Sequence, residues 1–171
     1  MKTIATCVTA VLAAVFALVG IAGTAFADTS TSDADAILAV HNQYRAEVGT
    51  APLQWDATLQ ASAQQYADQL LASGNRDHDP NRGPVGENLY WDASNGTGQP
   101  AATLNATSAP ISWYAEKAAL GGHYTQMVWK DTTNVGCGVA TKSETQGDTQ
   151  NNTQVVVCRY SPAGNTGGPA F

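Results

Sequence analysis

Residues 153–160 read Thr-Gln-Val-Val-Val-Cys-Arg-Tyr, with four consecutive apolar positions from Val155 to Cys158. Successive side chains of a β-strand point to opposite faces, so an unbroken apolar run needs cover on both. The chain must therefore place this strand between two layers. A second strand is expected over 135–140. The polar stretch between the two, "TKSETQGDTQNN", is turn material, so the pair reads as an antiparallel hairpin.

Helical periodicity supplies the covering layers. In "SDADAILAVHNQYRAEVG", Ile37, Val40, Tyr44 and Val48 form an apolar stripe, with Ser32 as the expected N-cap and Gly49 at the stop. A second helix is expected from an Asp56 cap to Gly74, with Leu59, Ala63, Tyr66, Ala67 and Leu70 on one face. "APLQW" between them is a tight connector that drops Leu53 and Trp55 into the core. A third helix is expected in "ISWYAEKAAL", and a strand over 87–91. Residues 92–110, low in complexity and polar, read as a long surface loop. Helices grouped around an antiparallel sheet point to an α+β domain with helices on both faces.

The N-terminus reads differently. Lys2, an apolar run and Ala25-Phe26-Ala27 have the form of a secretory signal peptide over residues 1–27, cleaved before Asp28. The expected mature chain, 28–171, is a single domain of 144 residues with no membrane span. It carries seven basic and fourteen acidic residues, a net charge of −7. Without a Lys/Arg cluster, this balance argues against nucleic-acid binding. Cys7 leaves with the leader, and an even pair, Cys137 and Cys158, in an exported protein favours a disulfide. Such a bridge would stabilise by roughly 3 kcal/mol on a chain-entropy argument. Asn95, Asn105 and Asn151 open glycosylation sequons, which matter if the host is eukaryotic.

Three histidines remain. His41 borders the apolar stripe of the first helix and is expected to be structural, whereas His78 and His123 occupy loop-like contexts suited to a cleft. With Glu87 and Glu116 they form a donor set suited to a divalent transition metal, the imidazoles ligating and the carboxylates ligating or orienting. Their spacing matches no compact metal motif, and ordinary hydrogen-bonded loop residues would look the same. No G-x-S-x-G, phosphate loop or H-E-x-x-H is present.

Four stretches resemble the CAP superfamily of cysteine-rich secretory proteins, venom allergens and pathogenesis-related proteins. They are "HNQYRAEVGTAPLQWDATLQASAQQYADQL", "GENLYW", "GHYTQMVWKDT" and "VVVCRYSPAGN", in the family's order. The resemblance implies a three-layer α-β-α sandwich with a central antiparallel sheet. It also implies a cleft tetrad falling on His78, Glu87, Glu116 and His123, with His78 and His123 as ligands of zinc or another divalent cation. The function it implies is that of a secreted, extracellular, monomeric and non-enzymatic protein. Such a protein would bind a small lipid, such as a sterol or fatty acid, or an extracellular protein target. The alternatives are a metal-dependent or serine-type secreted hydrolase and a surface-acting, immune-modulating protein.

Overall fold

The computed structural model describes residues 30–171. The leader expected over 1–27, and its cleavage point, lie outside the described residues. Helix α1 spans Thr31–Glu47, starting two residues earlier than a Ser32 cap would allow. Ser30 is the cap, its Oγ accepting from the Asp33 amide at 3.1 Å. Helix α2 spans Ala57–Ser73. The Asp56 carboxylate accepts from the amides of Thr58 and Leu59, and Gly74 closes the helix at φ 70°, both as expected.

Strand β1 is the two-residue Gln54–Trp55, β2 is Gly86–Thr97, β3 is Asn134–Gln146 and β4 is Thr149–Ser161. The sheet order is β1-β3-β4-β2. The three long strands pair antiparallel, and β1 joins β3 in parallel, making the sheet mixed at that edge. The long strands run well past the apolar positions. Residues 92–97 pair with 149–154 and continue β2 where the sequence suggests a loop. There the ladder is held by backbone hydrogen bonds between polar residues, which leave no alternation of hydrophobicity to read.

The valine run behaves as its composition requires. Val155 and Val157 pack with Ala63, Tyr66, Ala67 and Leu70 of α2. Val156, Cys158 and Tyr160 face a second, larger cluster with Ile37, Trp113, Tyr124, Met127 and Val128. That cluster is closed by α1, α3 (Ser108–Tyr114) and α4 (Gly122–Met127). The result is an α-β-α sandwich. Leu53 is buried and Trp55 packs against the larger cluster, with its Nε1 donating to Gln60. Tyr90, Trp91, Trp113 and Tyr114 also pack into or against the two clusters. Cys137 and Cys158 are cross-strand partners and form the expected disulfide. No helix among the described residues is long and apolar enough to cross a membrane.

His41 is fully buried and structural. Its Nδ1 donates to the Ile37 carbonyl at 2.8 Å, and its Nε2 accepts from the Tyr160 hydroxyl at 2.9 Å. Burial, with the nearby Arg45 charge, lowers its pKa from 6.5 to about 4. The unfolded chain therefore takes up this proton more readily than the folded one, and stability falls as pH drops. The loss begins near pH 6.5, is complete near pH 4 and amounts to about 3 kcal/mol. Urea midpoints across this range should fall for the wild type and flatten in His41→Gln. Equal slopes for both proteins would remove His41 as the source.

Candidate functional site

The third helix expected from the sequence divides. After α3 the chain tightens into a 3-10 helix, Ala115–Ala119, and Leu120 adopts a left-handed conformation at φ 49°. This turn aims Glu116 back at the start of α4. Its Oε1 accepts from His123 Nδ1 at 2.7 Å, and its Oε2 from the His123 backbone amide at 3.2 Å. Gly121 permits the approach, because a Cβ there would lie 2.7 Å from the Glu116 Cβ. The His123 ring also lies against Trp113, centroids 6.1 Å apart.

A second pair repeats this bonding. His78 Nδ1 donates to Glu87 Oε1 at 2.8 Å. Glu87 stands near the start of β2 with its side chain fully buried, while the His78 side chain is half exposed. The same oxygen accepts from the Asp79 amide at 3.0 Å, and Oε2 receives Arg159 Nε and Nη2 at 3.4 and 3.3 Å. Arg159, on β4, also donates from Nη2 to Asp79 at 2.5 Å. Neither Asp79 nor Arg159 was conspicuous in the sequence. The strand register, which pairs Glu87 with Arg159, reveals the part of the arginine, and the hydrogen bonds of Asp79 to both reveal its own.

The four residues singled out in the sequence thus come as two His–Glu pairs. Asn88 joins them: it follows Glu87 in β2, and its Nδ2 donates to the His123 carbonyl at 3.0 Å and to the Tyr160 hydroxyl at 3.3 Å. Through Tyr160 this chain continues to His41, so α1, the sheet and α4 are tied beneath the site. Among the described residues, no group of three or more His, Cys, Asp or Glu side chains is placed to share one metal ion.

In each pair the ring donates its Nδ1 proton to a carboxylate. The imidazole is then the tautomer whose Nε2 carries a lone pair, the arrangement found when a carboxylate orients a metal-ligating histidine. Glu116 is about one-third exposed and keeps access to solvent, whereas Glu87 accepts four hydrogen bonds in a buried setting. The sequon residues lie elsewhere. Asn95 and Asn105 are exposed, and Asn151 is half-buried opposite Asn95 on the sheet.

Residues 38–160 match the profile of the CAP family, described as the cysteine-rich secretory protein family. Pathogenesis-related leaf protein 6 of Solanum lycopersicum is 37% identical over 132 residues, covering 75% of this chain and 76% of that protein. Secreted protein RBT4 of Candida albicans is 39% identical over 149 residues, covering 81% of this chain and 37% of that longer protein. Among solved structures, that of NaASP2 with Zn2+ matches with a TM-score of 0.60 at 23% identity, covering 82% of this chain and 85% of that one.

Proposed function

The chain belongs to the cysteine-rich secretory protein family, and from that premise we propose that it is a secreted, non-enzymatic binding protein whose His78 and His123 hold a divalent cation. One observation carries this reading: both rings give Nδ1 to a carboxylate and keep Nε2 for a ligand. Two imidazole donors leave coordination positions to be filled from solution, which is the character of an open site. Zinc suits such donors, and the solved NaASP2 structure, alike in fold, was obtained with it. A bound cation would supply a positive anchor for the oxygen-bearing head of a ligand. Glu87 and Glu116 act as orienting partners.

The small-ligand part of the proposal rests on a cavity of about 360 Å³ between α4 and the C-terminal segment, lined in part by Leu120, Trp129 and Phe171. Leu120 and Phe171 are 60% and 52% exposed, apolar surface that a lipid such as a sterol or fatty acid would cover. An extracellular protein target with an apolar anchor would use the same surface.

Zinc titration at neutral pH tests the cation. Binding should weaken in acid, where protons compete with the cation for the ring nitrogens. His78→Ala and His123→Ala should each lose more than the roughly 10- to 100-fold that removal of an outer-shell partner costs. If both variants bind zinc like the wild type, the site assignment fails. A hydrolase built on the same residues would need a carboxylate with a free lone pair as general base. Glu87 is spent on four donors, which leaves Glu116. Chelator-sensitive cleavage of a peptide library, lost in His123→Ala, would replace the binding reading with that one.

A further inference from the structure

Arg159, whose guanidinium holds Glu87, also lines a cavity of about 500 Å³ between α2 and residues 79–85. The volume lies in the range of small-molecule sites. Its walls are rich in hydrogen-bond donors: Arg82, Arg159, Gln65, Gln69 and Asn81. The one carboxylate in the lining, Asp79, is already engaged. Its Oδ1 accepts from the Asn81 amide at 2.8 Å, and its Oδ2 from Arg159.

Arg82 is the unbalanced group. Its Nη1 donates to the Asp79 carbonyl at 2.8 Å, yet its Nε is buried with no hydrogen-bond partner. It forms no ion pair among the described residues. A buried N–H left without an acceptor is uncommon and costs stability, so this guanidinium is under-satisfied where it stands. Arg159 is only 5% exposed, its Nε and Nη2 are committed to Glu87 and Asp79, and its guanidinium lies 5.7 Å from the centre of the Tyr66 ring, so it is held in place before any ligand arrives and has Nη1 to offer. The protein as a whole is negative, with a net charge of −6, and general electrostatic attraction would not bring an anion here. Any such binding must come from the local geometry.

We propose that this cavity binds a small anionic sugar, with its carboxylate or phosphate on Arg82 and Arg159 and its hydroxyls on Gln65, Gln69 and Asn81. Guanidinium groups favour oxyanions through paired, charge-assisted hydrogen bonds, and amide side chains suit hydroxyls that both donate and accept. The two sites share Arg159, which holds Glu87, but Arg82 belongs to this cavity alone: it makes no hydrogen bond to His78, Glu87, Glu116 or His123.

The test is an amide NMR titration of the full mature chain at low ionic strength. Glucuronate and glucose 6-phosphate distinguish a carboxylate from a phosphate head, while glucose and inorganic phosphate supply each half alone. The expected result is saturable shifts of the Gln65 and Gln69 side-chain amides and of Asn81 with at least one anionic sugar. Glucose should bind at least about tenfold more weakly, and Arg82→Gln should lose at least about tenfold in affinity for the anionic sugar. Arg82 lies in a solvent-facing segment, and a thermal melt would confirm that the variant remains folded. Zinc affinity of Arg82→Gln should match the wild type, so failure here is distinguishable from failure of the cation site. Glucose binding as tightly as the better of the two anionic sugars, an unaffected Arg82→Gln, or no saturation by either anionic sugar at tens of millimolar would each overturn the proposal. Inorganic phosphate binding as tightly as the anionic sugars would overturn the sugar assignment.

Discussion

Gly138→Ala is expected to destabilise the protein by about 3 kcal/mol, at the upper end of what one added methyl costs in a packed interior. The reason is that α2 meets β3 backbone to backbone. A Cβ at Gly138 would run into the Gln64 amide nitrogen and Cα, and would lie 2.5 Å from the Ala63 carbonyl carbon. Gly136 presents the same situation one pleat earlier, against the Asp56 oxygen at 2.5 Å and the Leu59 carbon at 2.8 Å. A clash with the far end of a side chain could be relieved by a rotamer change, but here the obstacle is helix backbone. The whole of α2 would have to withdraw. Withdrawal would also break the docking of Gln64, whose amide donates to the Val139 carbonyl and accepts from the Val139 N–H, both at 2.9 Å, in the manner of an added strand. The measurement is the urea midpoint of Gly138→Ala beside Gly147→Ala. Gly147, at φ 61° in the β3–β4 turn, has no atom within 4 Å of its would-be Cβ. The turn variant should lose only the cost of a left-handed alanine, about 1 kcal/mol. If the two variants lose the same amount, close approach is not what glycine provides at position 138.

That contact shows where a sequence is readable and where it is not. Helix α2 is legible at both ends because its signals are local: Asp56 caps through its own carboxylate and Gly74 adopts the left-handed turn. The both-faced burial of 155–158 is also local, since each valine announces an apolar environment. Gly136 and Gly138 carry no such label. A glycine in a strand can signal a bulge, a bend or a close neighbour, and only the position of α2 decides among them. The polar ends of the long strands were invisible for a related reason. Asp92 to Thr97 pair with Gln154 to Thr149 through backbone, and neither side buries a hydrophobic face. Helix α4, six residues with Gly122 in the first position, is too short to show a period.

The candidate site divides along the same line. Nine residues separate His78 from Glu87 and seven separate Glu116 from His123, spacings that select no motif by themselves. Residue type and context singled out the four residues, the family resemblance assigned them to one cleft, and their hydrogen bonds then gave the pairs a chemical meaning. The residues that support them were not readable at all. Asn88 reaches the His123 carbonyl across 35 positions and Arg159 reaches Glu87 across 72. Such partners depend on strand register and on how the sheet and α4 are placed, which are properties of the folded chain. The two pairs also differ in a way composition could not indicate. Glu87 is locked by a buried arginine, while Glu116 is held by one histidine and stays partly in water. A ligand-induced change at the site is therefore easier at Glu116.

Arg45→Met is expected to cost about 3–5 kcal/mol, although it exchanges a buried charge for a side chain of similar length. Removing buried ion pairs in favour of apolar residues is often tolerated, because both charges disappear together. Arg45 offers no such exchange, for its partners are main chain. It is fully buried on α1; Nε donates to the Ala51 carbonyl at 2.7 Å, Nη1 to Met127 and Trp129 at 2.9 and 3.0 Å, and Nη2 to Thr132 at 2.9 Å. Burial lowers its pKa to about 10, so it remains charged at neutral pH. No carboxylate pairs with it among the described residues, and carbonyl dipoles, including that of Met127 at the end of α4, compensate the charge. Methionine would leave the carbonyls in place and take away their donors, so each would bear the penalty of an unmet buried acceptor. Arg45→Lys keeps the charge, but a single ammonium cannot span carbonyls from the α1–β1 connector and from the chain beyond α4, so it should recover only part of the loss. Because three of the four bonds reach residues 127–132, the damage should concentrate beside α4 and the His123 it carries. Hydrogen exchange in the methionine variant should therefore rise most over 122–132, with a smaller rise in α2. A loss below about 1 kcal/mol, or a rise in exchange spread evenly over the molecule, would show that this guanidinium does not hold the site segment to α1.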